Sequence, residues 1–319
     1  MRLSTVAVAV ALLLAPSLQA AEPPAPTALW GRDHPLVGKV WQPASKAFIT
    51  ADALAAQAAA ADMVLLGETH DNADHHALQA WMVERLMAHS SPKPLVAFEM
   101  LDRGQAEALE THLAAHPKDA DGLGPALGWD KSGWPDWALY RPIARAALEA
   151  GALLAAANLS KDDSRAIAKG DIPAPWRDKL GLEGPHDPGQ RQAMEADIQA
   201  GHCNMLPERA LPAMVRVQRA RDAAMAWTMA QAPRAVLIAG AGHVRTDRAV
   251  PVHLAAMAKG KKVLALAFLE VQPGRTEPDQ YAETYDTDHL PFDAVWFTPK
   301  AERADQCEAF KRHLDKKKD

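Results

Sequence analysis

Short, uninterrupted apolar runs alternate with helical segments along most of this sequence. Each run is continuously apolar, which is typical of strands that helices cover on both faces. Strands and helices that alternate in this way predict an α/β fold with a mostly parallel sheet and right-handed crossovers. The predicted strands are 63–66, 95–99, 153–157, 235–238, 262–269 and 294–297.

The helical segments complete a single predicted domain over residues 50–319, which follows a linker or arm over residues 21–49. We interpret the segment from about 188 to 231 as a helical insertion or lid rather than a second domain. The predicted helices are 51–61, 73–88, 105–115, 142–150, 190–231 (with breaks near Pro207 and Pro212) and 248–259.

Residues 1–20 have the pattern of a signal peptide. Arg2 supplies a positive charge, residues 6–16 are apolar, and small residues lead to Ala20. The apolar run is shorter than the roughly 20 residues that a membrane span needs. Because the leader has no cysteine, we expect no lipid anchor. The expected product is a periplasmic protein that is soluble after cleavage.

The net charge and the number of cysteines bear on the partners and on the redox state that we expect for this protein. The formal net charge is −5, which argues against nucleic acid as a partner. The basic run 316–318 is interpreted as a solvated tail. Cys203 and Cys307 are the two cysteines, and an even pair in an exported protein favours a disulfide. Two buried thiols remain the alternative.

Polar groups follow four of the predicted strands. Ligands of such sheets bind beyond the carboxyl ends of the strands, so these groups predict one shared site. They are Glu68 and His70 after the first strand, Glu99 at the end of the second, Asn158 after the third, and His243 with Arg245 after the fourth.

Each of these residues also has a plainer interpretation. Glu68 could simply cap the next helix, where a carboxylate is favourable. His75 and His76 are neighbours on that helix and point about 100° apart, so we interpret both as surface residues. His70 and His243 are the better site candidates. Gly242 indicates a backbone position that a side chain would obstruct.

From Val64 to Pro299, the order of several short motifs resembles the ChaN-like haem-binding family. That family is similar in fold to the wider Tiki and erythromycin-esterase-like group. Many of its members are lipoproteins, and this chain departs from them because its leader has no cysteine. The motifs are Gly67–Asp71, Phe98–Met100, Trp134–Trp137 with Tyr140–Pro142, Ala157–Asn158, His202–Cys203 before Leu206–Pro207, Arg221–Asp222, and Gly240–His243.

The resemblance implies that haem is the ligand and that Tyr140 binds its iron. Phenolate is a known ligand of ferric haem, and a nearby cation such as Arg141 would help the phenol to ionise. Pro142 disfavours helix before it, so we expect Tyr140 in the loop that enters the helix. Trp137 in the same loop offers flat apolar surface, and His202 is a possible second contact. Tyr140 in a packed aromatic cluster, and His202 as a helix-terminal histidine, are the alternatives.

The sequence favours a haem-binding carrier in iron acquisition over an enzyme. Neither Gly-x-Ser-x-Gly nor His-Glu-x-x-His occurs in it. The competing hypothesis is a metal-dependent or acid/base hydrolase. A homodimer is possible, and no membrane anchor is expected. The catalytic set of the hydrolase hypothesis would be Glu68, His70, Glu99 and His243.

Overall fold

The computed structural model describes residues 22–182 and 187–315. The predicted signal peptide, residues 1–20, and the basic run 316–318 lie outside the described residues. Within the described ranges, none of the helices has both the length and the apolar character needed to cross a bilayer.

A mixed sheet of eight strands forms the centre of the described chain, in the order β2-β1-β8-β7-β3-β6-β4-β5. The six strands from β8 to β5 are parallel, and β1 and β2 join the β8 edge antiparallel. The predicted α/β class with a mostly parallel sheet is therefore confirmed. The strands are β1 (Val40–Gln42), β2 (Ala47–Ile49), β3 (Met63–Glu68), β4 (Leu95–Asp102), β5 (Leu154–Asn158), β6 (Ala235–Gly240), β7 (Val263–Glu270) and β8 (Ala294–Thr298).

Two apolar layers lie on opposite faces of the sheet. Successive strand residues point to opposite faces, so Leu66 and Leu65 belong to different core clusters. The cluster of Leu66 includes side chains from α1, α2 and α5, and that of Leu65 includes side chains from α8 and α9. The helices are α1 (Ala51–Ala60), α2 (Ala73–His89), α3 (Ala106–Ala115), α4 (Ala120–Ala126), α5 (Trp137–Glu149), α6 (Lys161–Lys169), α7 (Pro188–Gly201), α8 (Leu211–Ala230), α9 (Val250–Met257) and α10 (Gln306–Asp315).

The arm expected over 21–49 contains the two edge strands β1 and β2. Val40 and Trp41 are buried in the two core clusters. Each strand has three residues, which is too short for an apolar pattern to reveal it. Residues on the N-terminal side of residue 50 therefore pair with the central sheet.

Helix α8 is part of the core, where the sequence suggested an insertion or lid. Its residues Met225 and Met229 are fully buried in the same cluster as Leu65, and Ala223 is buried in a third cluster with α6. Small and unbranched side chains let α8 lie close against the sheet. Helix α8 therefore packs against the sheet along much of its length.

The C-terminal segment is fastened to the domain at two points. Cys203 and Cys307 form the expected disulfide, which joins the end of α7 to α10. Arg303 binds Asp71 at 2.7 Å and Glu270 at 2.5 Å. Asp71 immediately follows His70, so this ion pair ties the C-terminal segment to the loop after β3.

Candidate functional site

The register of the central strands brings the polar strand ends together. Glu68 at the end of β3 pairs with Gly240 at the end of β6, and Phe98 of β4 pairs with Ile238. Glu99 follows Phe98 directly, and His243 lies on the 3-10 turn that follows β6. One edge of the sheet therefore carries the carboxylates and histidines predicted from the sequence.

Glu99 is the centre of this network and is almost fully buried. Its Oε1 accepts a hydrogen bond from Arg221 Nη2 at 2.6 Å and lies 3.1 Å from His243 Nε2. Its Oε2 accepts the backbone N–H of Gly240 at 2.8 Å. Burial works to raise the pKa of Glu99, but the charges of His243 and Arg221 hold it well below its usual range. Glu99 is therefore a carboxylate whose lone pairs are already engaged.

His243 is held between two carboxylates. Its Nδ1 lies 2.5 Å from Asp222 Oδ1, on the side opposite to Glu99. Burial opposes the charged ring, but Glu99 and Asp222 together raise the pKa of His243 to about 9. The ring is therefore an imidazolium at neutral pH, and both of its N–H groups are donated to carboxylates.

Glu68 forms a second, adjacent group of contacts. Its Oε1 accepts hydrogen bonds from His70 Nδ1 at 2.9 Å and from the Tyr140 hydroxyl at 3.3 Å. Its Oε2 lies 2.7 Å from His76 Nδ1. Burial works to raise the pKa of Glu68, but His76 and His70 lower it overall. The capping interpretation of Glu68 is wrong, because Asn72 caps helix α2.

His70 connects the two groups and is their most exposed member. Its Nε2 lies 3.9 Å from Glu99 Oε2, and 34% of its side chain is exposed. The ring touches Trp134 at a centroid distance of 4.8 Å. Burial lowers the pKa of His70, but the hydrogen bond to Glu68 and the charge of Glu99 raise it overall. When neutral, the ring keeps its proton on Nδ1 for Glu68 and presents a lone pair at Nε2.

Backbone space near His70 depends on Gly240 and Gly67. A Cβ on Gly240 would come within 2.9 Å of His70 Nε2, and one on Gly67 within 2.4 Å of a methyl group of Val244. The expectation for Gly242 is wrong, because a Cβ there would meet no atom within 4 Å. The glycines at the strand ends, rather than the one before His243, make room for the site.

His75 and His76 are both buried, so their interpretation as surface residues is wrong. His75 Nδ1 accepts the backbone N–H of Thr69, and its Nε2 lies 2.7 Å from Thr298 Oγ1. His76 Nε2 lies 2.9 Å from the carbonyl oxygen of His70. The start of α2 is covered by the loop after β3 and by β8, which the helical pattern alone does not reveal.

Tyr140 lies within α5 and not in a loop before it. Asp136 caps α5 by accepting the N–H of Ala138, so the helix begins at Trp137 despite the proline at position 142. The Tyr140 side chain is fully buried, and its ring packs against His76 and Trp129. Burial and the charge of Glu68 raise its pKa above the ordinary value. In this structure Tyr140 is a neutral phenol that donates to Glu68.

The other residues proposed for haem contact are spread apart. Trp137 is the first residue of α5, and its indole donates to the carbonyl oxygen of Ala120. Arg141 pairs with Asp121 at 3.2 Å. His202 caps the end of α7, where its Nδ1 lies 2.7 Å from the carbonyl oxygen of Ile198, as the helix-terminal interpretation predicts. Its ring touches Phe310 of the disulfide-linked helix α10.

A cavity of about 780 Å³ opens beside the network, and we call it the strand-end cleft. Glu99 and Arg221 belong both to the network and to its lining, as does Trp134, which touches His70. The apolar residues that line it are Met100, Leu127, Trp134, Leu159 and Val217. The cleft therefore joins apolar walls to a floor of charged groups.

Sequence reasoning did not single out Asp222 or His76 as members of this network. Asp222 sits within a long helical stretch, where a single carboxylate is normally solvated. The one sequence feature that could have indicated Asp222 is its neighbour Arg221. Arg221 binds Glu99 and Asp222 binds His243, so the two adjacent residues hold the two central members of the network.

Across the described ranges, no group of three or more His, Cys, Asp and Glu side chains is arranged to hold a metal ion. The hydrolase set Glu68, His70, Glu99 and His243 is brought together, but its members bond mainly to one another and to Asp222, Arg221 and His76. Such pairing leaves His70 Nε2 as the group best placed to meet a ligand.

Comparison with known proteins agrees with this architecture. The structure is similar to that of ChaN of Campylobacter jejuni with cofacially bound haem, at a TM-score of 0.65 and 22% identity over 81% of this chain and 95% of that one. Weaker likenesses are to the type III effector HopBA1 (TM-score 0.41, 14% identity, 87% and 99% covered) and to an open form of the erythromycin esterase EreC (TM-score 0.40, 15% identity, 80% and 95% covered).

No curated protein matches the sequence. A family model does match it, over residues 54–254, and that range spans β3, β4, β5 and β6. It also includes every residue of the network described above, which is Glu68, His70, His76, Glu99, Tyr140, Arg221, Asp222 and His243. The family is described as haem-binding uptake, Tiki superfamily, ChaN. The chain therefore belongs to the ChaN haem-binding uptake family.

Proposed function

We propose that this protein binds haem in the strand-end cleft and serves in haem uptake outside the cytoplasm. The observation that carries the proposal is the cleft itself, in which apolar residues and the Glu99–Arg221 pair line one cavity. The partly exposed imidazole of His70 lies next to it, against the lining residue Trp134. Membership of a haem-binding uptake family supports the choice of ligand. A carrier needs only such a binding surface and no turnover chemistry.

The residues of the cleft suit the chemistry of haem. Haem has a flat apolar macrocycle, two carboxylates and an iron that accepts nitrogen or oxygen ligands. The apolar lining, with Trp134 and the buried Met100 and Leu159, offers surface to the macrocycle. Arg221 and the network next to it supply polar contacts, and His70 supplies a nitrogen for the iron.

Tyr140 is the iron ligand that we propose from the family resemblance, and the structure states what that ligation requires. The phenol must lose its proton, although Glu68, its hydrogen-bond partner at 3.3 Å, disfavours the anion. The side chain is also fully buried, so the first turn of α5 must open toward the haem. His70, whose Nε2 is accessible, is the competing ligand.

Absorption spectra of the protein titrated with haemin test both the function and the ligand. We expect saturable binding, and Tyr140→Phe should abolish a tyrosinate charge-transfer band and weaken binding while the far-UV spectrum stays unchanged. His70→Ala is the matched variant. If only His70→Ala changes the haem spectrum, the iron ligand is His70 and the assignment of Tyr140 fails. If haemin does not bind at all, the carrier function fails.

Export of the chain is the second part of this proposal. Residues 1–20 carry the pattern of a signal peptide, and cleavage after Ala20 or Ala21 would release a protein without a membrane anchor. Mass spectrometry of the protein from the periplasmic fraction should give an N-terminus at residue 21 or 22. Recovery of the uncleaved chain from the membrane fraction would contradict export as a soluble protein.

A homodimer is also part of the proposal. Leu29 and Trp30 are adjacent and largely exposed, and apolar patches of this kind often mark contacts between proteins. Sedimentation velocity with and without haemin should reveal a species of twice the monomer mass. A monomer under both conditions would exclude the dimer.

The hydrolase hypothesis has one observation in its favour, the chain of contacts Asp222–His243–Glu99 with His70 beside it. A histidine that acts as general base must be unprotonated near neutral pH, whereas Glu99 and Asp222 raise the pKa of His243 to about 9. We therefore expect no hydrolysis of model esters and no effect of chelators on haem binding. Ester hydrolysis that is lost in both Glu68→Gln and His243→Ala would overturn the carrier in favour of the enzyme.

A further inference from the structure

We infer that Lys131 and Lys161, which both line the strand-end cleft, bind the carboxylates of the ligand. This inference rests on the proposed haem function and deepens it, because it assigns the end of the cleft that receives the two propionates. Neither lysine belongs to the buried network, and sequence analysis did not single out either one.

The two lysines come from different elements that border the same cavity. Lys131 ends the 3-10 turn Trp129–Lys131 between α4 and α5, and Lys161 is the first residue of α6. Both line the cleft and both are exposed. Their ammonium groups therefore stay in contact with water in the free protein and can reach a ligand in the cavity.

The other charged residues of the cleft are already bonded within the protein. Arg221 binds Glu99 at 2.6 Å, and Arg165 binds Asp162 at 2.8 Å. Asp102 accepts the backbone N–H of Gly104. Lys131 and Lys161 differ from these, since the ammonium group of neither makes a hydrogen bond or an ion pair to any residue within 22–182 or 187–315. Two cations of the lining are thus left for an anionic ligand.

The apolar part of the lining defines the ligand further. Met100, Leu127 and Leu159 are buried apolar residues of the lining, and Trp134 adds an aromatic face. A ligand that matches has a flat apolar body and carboxylates along one edge. Lysine suits such carboxylates as a mobile point charge, whereas a fixed arginine fork would demand one geometry.

Titration with haemin and with haemin dimethyl ester, in the same detergent-containing buffer, separates carboxylate recognition from macrocycle binding. The variants are Lys131→Gln, Lys161→Gln and the double variant, which remove the charge and keep most of the side-chain length. Lys169→Gln is the control, because Lys169 is an exposed lysine of the same helix α6 outside the cleft lining.

We expect each substitution to weaken haemin binding by about two- to fivefold, which is the range for exposed ion pairs. The double variant should lose on the order of tenfold, and the loss should shrink as salt is added. Binding of the dimethyl ester should be weaker than that of haemin in the wild-type protein and unchanged in the variants. Lys169→Gln should bind both compounds like the wild type.

Three results would overturn the inference. Equal haemin affinity in the double variant and the wild type would exclude the lysines from the site. Equal losses for haemin and for its dimethyl ester would mean that the substitutions disturb the walls and not a charge contact. If the wild type binds neither compound, the haem function fails and the carboxylate site fails with it, whereas haemin binding that ignores the lysines overturns only the latter.

Discussion

His75 and His243 differ in charge although both are buried beside the same sheet. His75 has no carboxylate among its hydrogen-bond partners, and burial lowers its pKa to about 3. His243 is equally buried, but Glu99 and Asp222 raise its pKa to about 9. The charge state of each ring is therefore set by its immediate partners and not by its depth in the fold.

His75 should make the protein less stable as the pH falls below 6.5, since the unfolded chain then binds a proton that the folded chain refuses. Between pH 6.5 and 4.5, His243, whose pKa is raised, contributes a constant amount to the free energy of unfolding. Glu99, whose pKa is lowered, still contributes its full amount over that range, because its contribution is lost only at lower pH. We expect the free energy of unfolding to fall by up to about 1.4 kcal/mol per pH unit there. Urea unfolding of His75→Asn, whose amide cannot titrate, should lack this slope. An identical slope in that variant would contradict the assignment.

Gly240→Ala should displace His70, because the new Cβ would lie 2.9 Å from its Nε2. We expect weaker haemin binding and a changed haem spectrum with little loss of helix content. Gly242→Ala is the matched control, since a Cβ there meets open space. Equal spectra for the two variants would show that His70 does not contact the haem.

Among the elements, α5 contributes Tyr140 to the site from its first turn, where the hydroxyl donates to Glu68. The turn is fixed by the Asp136 cap at its start and by the packing of Tyr140 against His76 and Trp129. Removal of the Asp136 cap should loosen the first turn of α5 and leave the buried ring of Tyr140 in place. The chemistry of the site should therefore stay unchanged.

Asp136→Ala should lower the free energy of unfolding by about 1 kcal/mol, since the N–H of Ala138 loses its acceptor. Chemical denaturation followed by circular dichroism measures the change. Asp130→Ala, an exposed aspartate in the preceding 3-10 turn, is the control and should change stability little. A loss of the same size in both variants would refute a specific role for the cap.

At the scale of the whole molecule, the C-terminal segment closes the structure back onto its middle. The disulfide spans 104 residues of sequence, and Arg303 binds the loop that follows β3. Constraint of the unfolded chain by a loop of that length stabilises the fold by up to about 5 kcal/mol in the chain-entropy model. The same closure fastens α10 beside the end of α7.

Reduction of the disulfide should therefore lower the melting temperature. Differential scanning calorimetry with and without reductant measures the shift, and a Cys203→Ser/Cys307→Ser double variant should melt at the lower temperature under both conditions. Denatured, unreduced protein from an oxidising compartment should contain no titratable thiol. Two titratable thiols in that sample would refute the bond in the exported protein.

The sequence by itself determined the parallel strands and the identity of the strand-end groups. Continuous apolar runs such as 63–66 and 235–238 are readable because the sheet is buried on both faces, and parallel strands must end at one edge. Glu68, Glu99 and His243 could therefore be named as neighbours before their contacts were known. The even count of cysteines favoured the Cys203–Cys307 pair, and the structure forms it.

Only the tertiary structure decided which of these groups are paired and which are open to a ligand. Asp222 joins the network from α8, far along the chain from Glu99, and His76 joins it from α2. Both contacts depend on a three-dimensional approach that no local pattern encodes. Tyr140 lies within α5 because Asp136 caps that helix before Trp137, a start that the proline at position 142 does not predict. Its burial comes from packing against His76 and Trp129. Lys131 and Lys161 became candidates for binding the ligand's carboxylates for the same reason. Their ammonium groups line the cleft, and neither has a side-chain partner among the described residues.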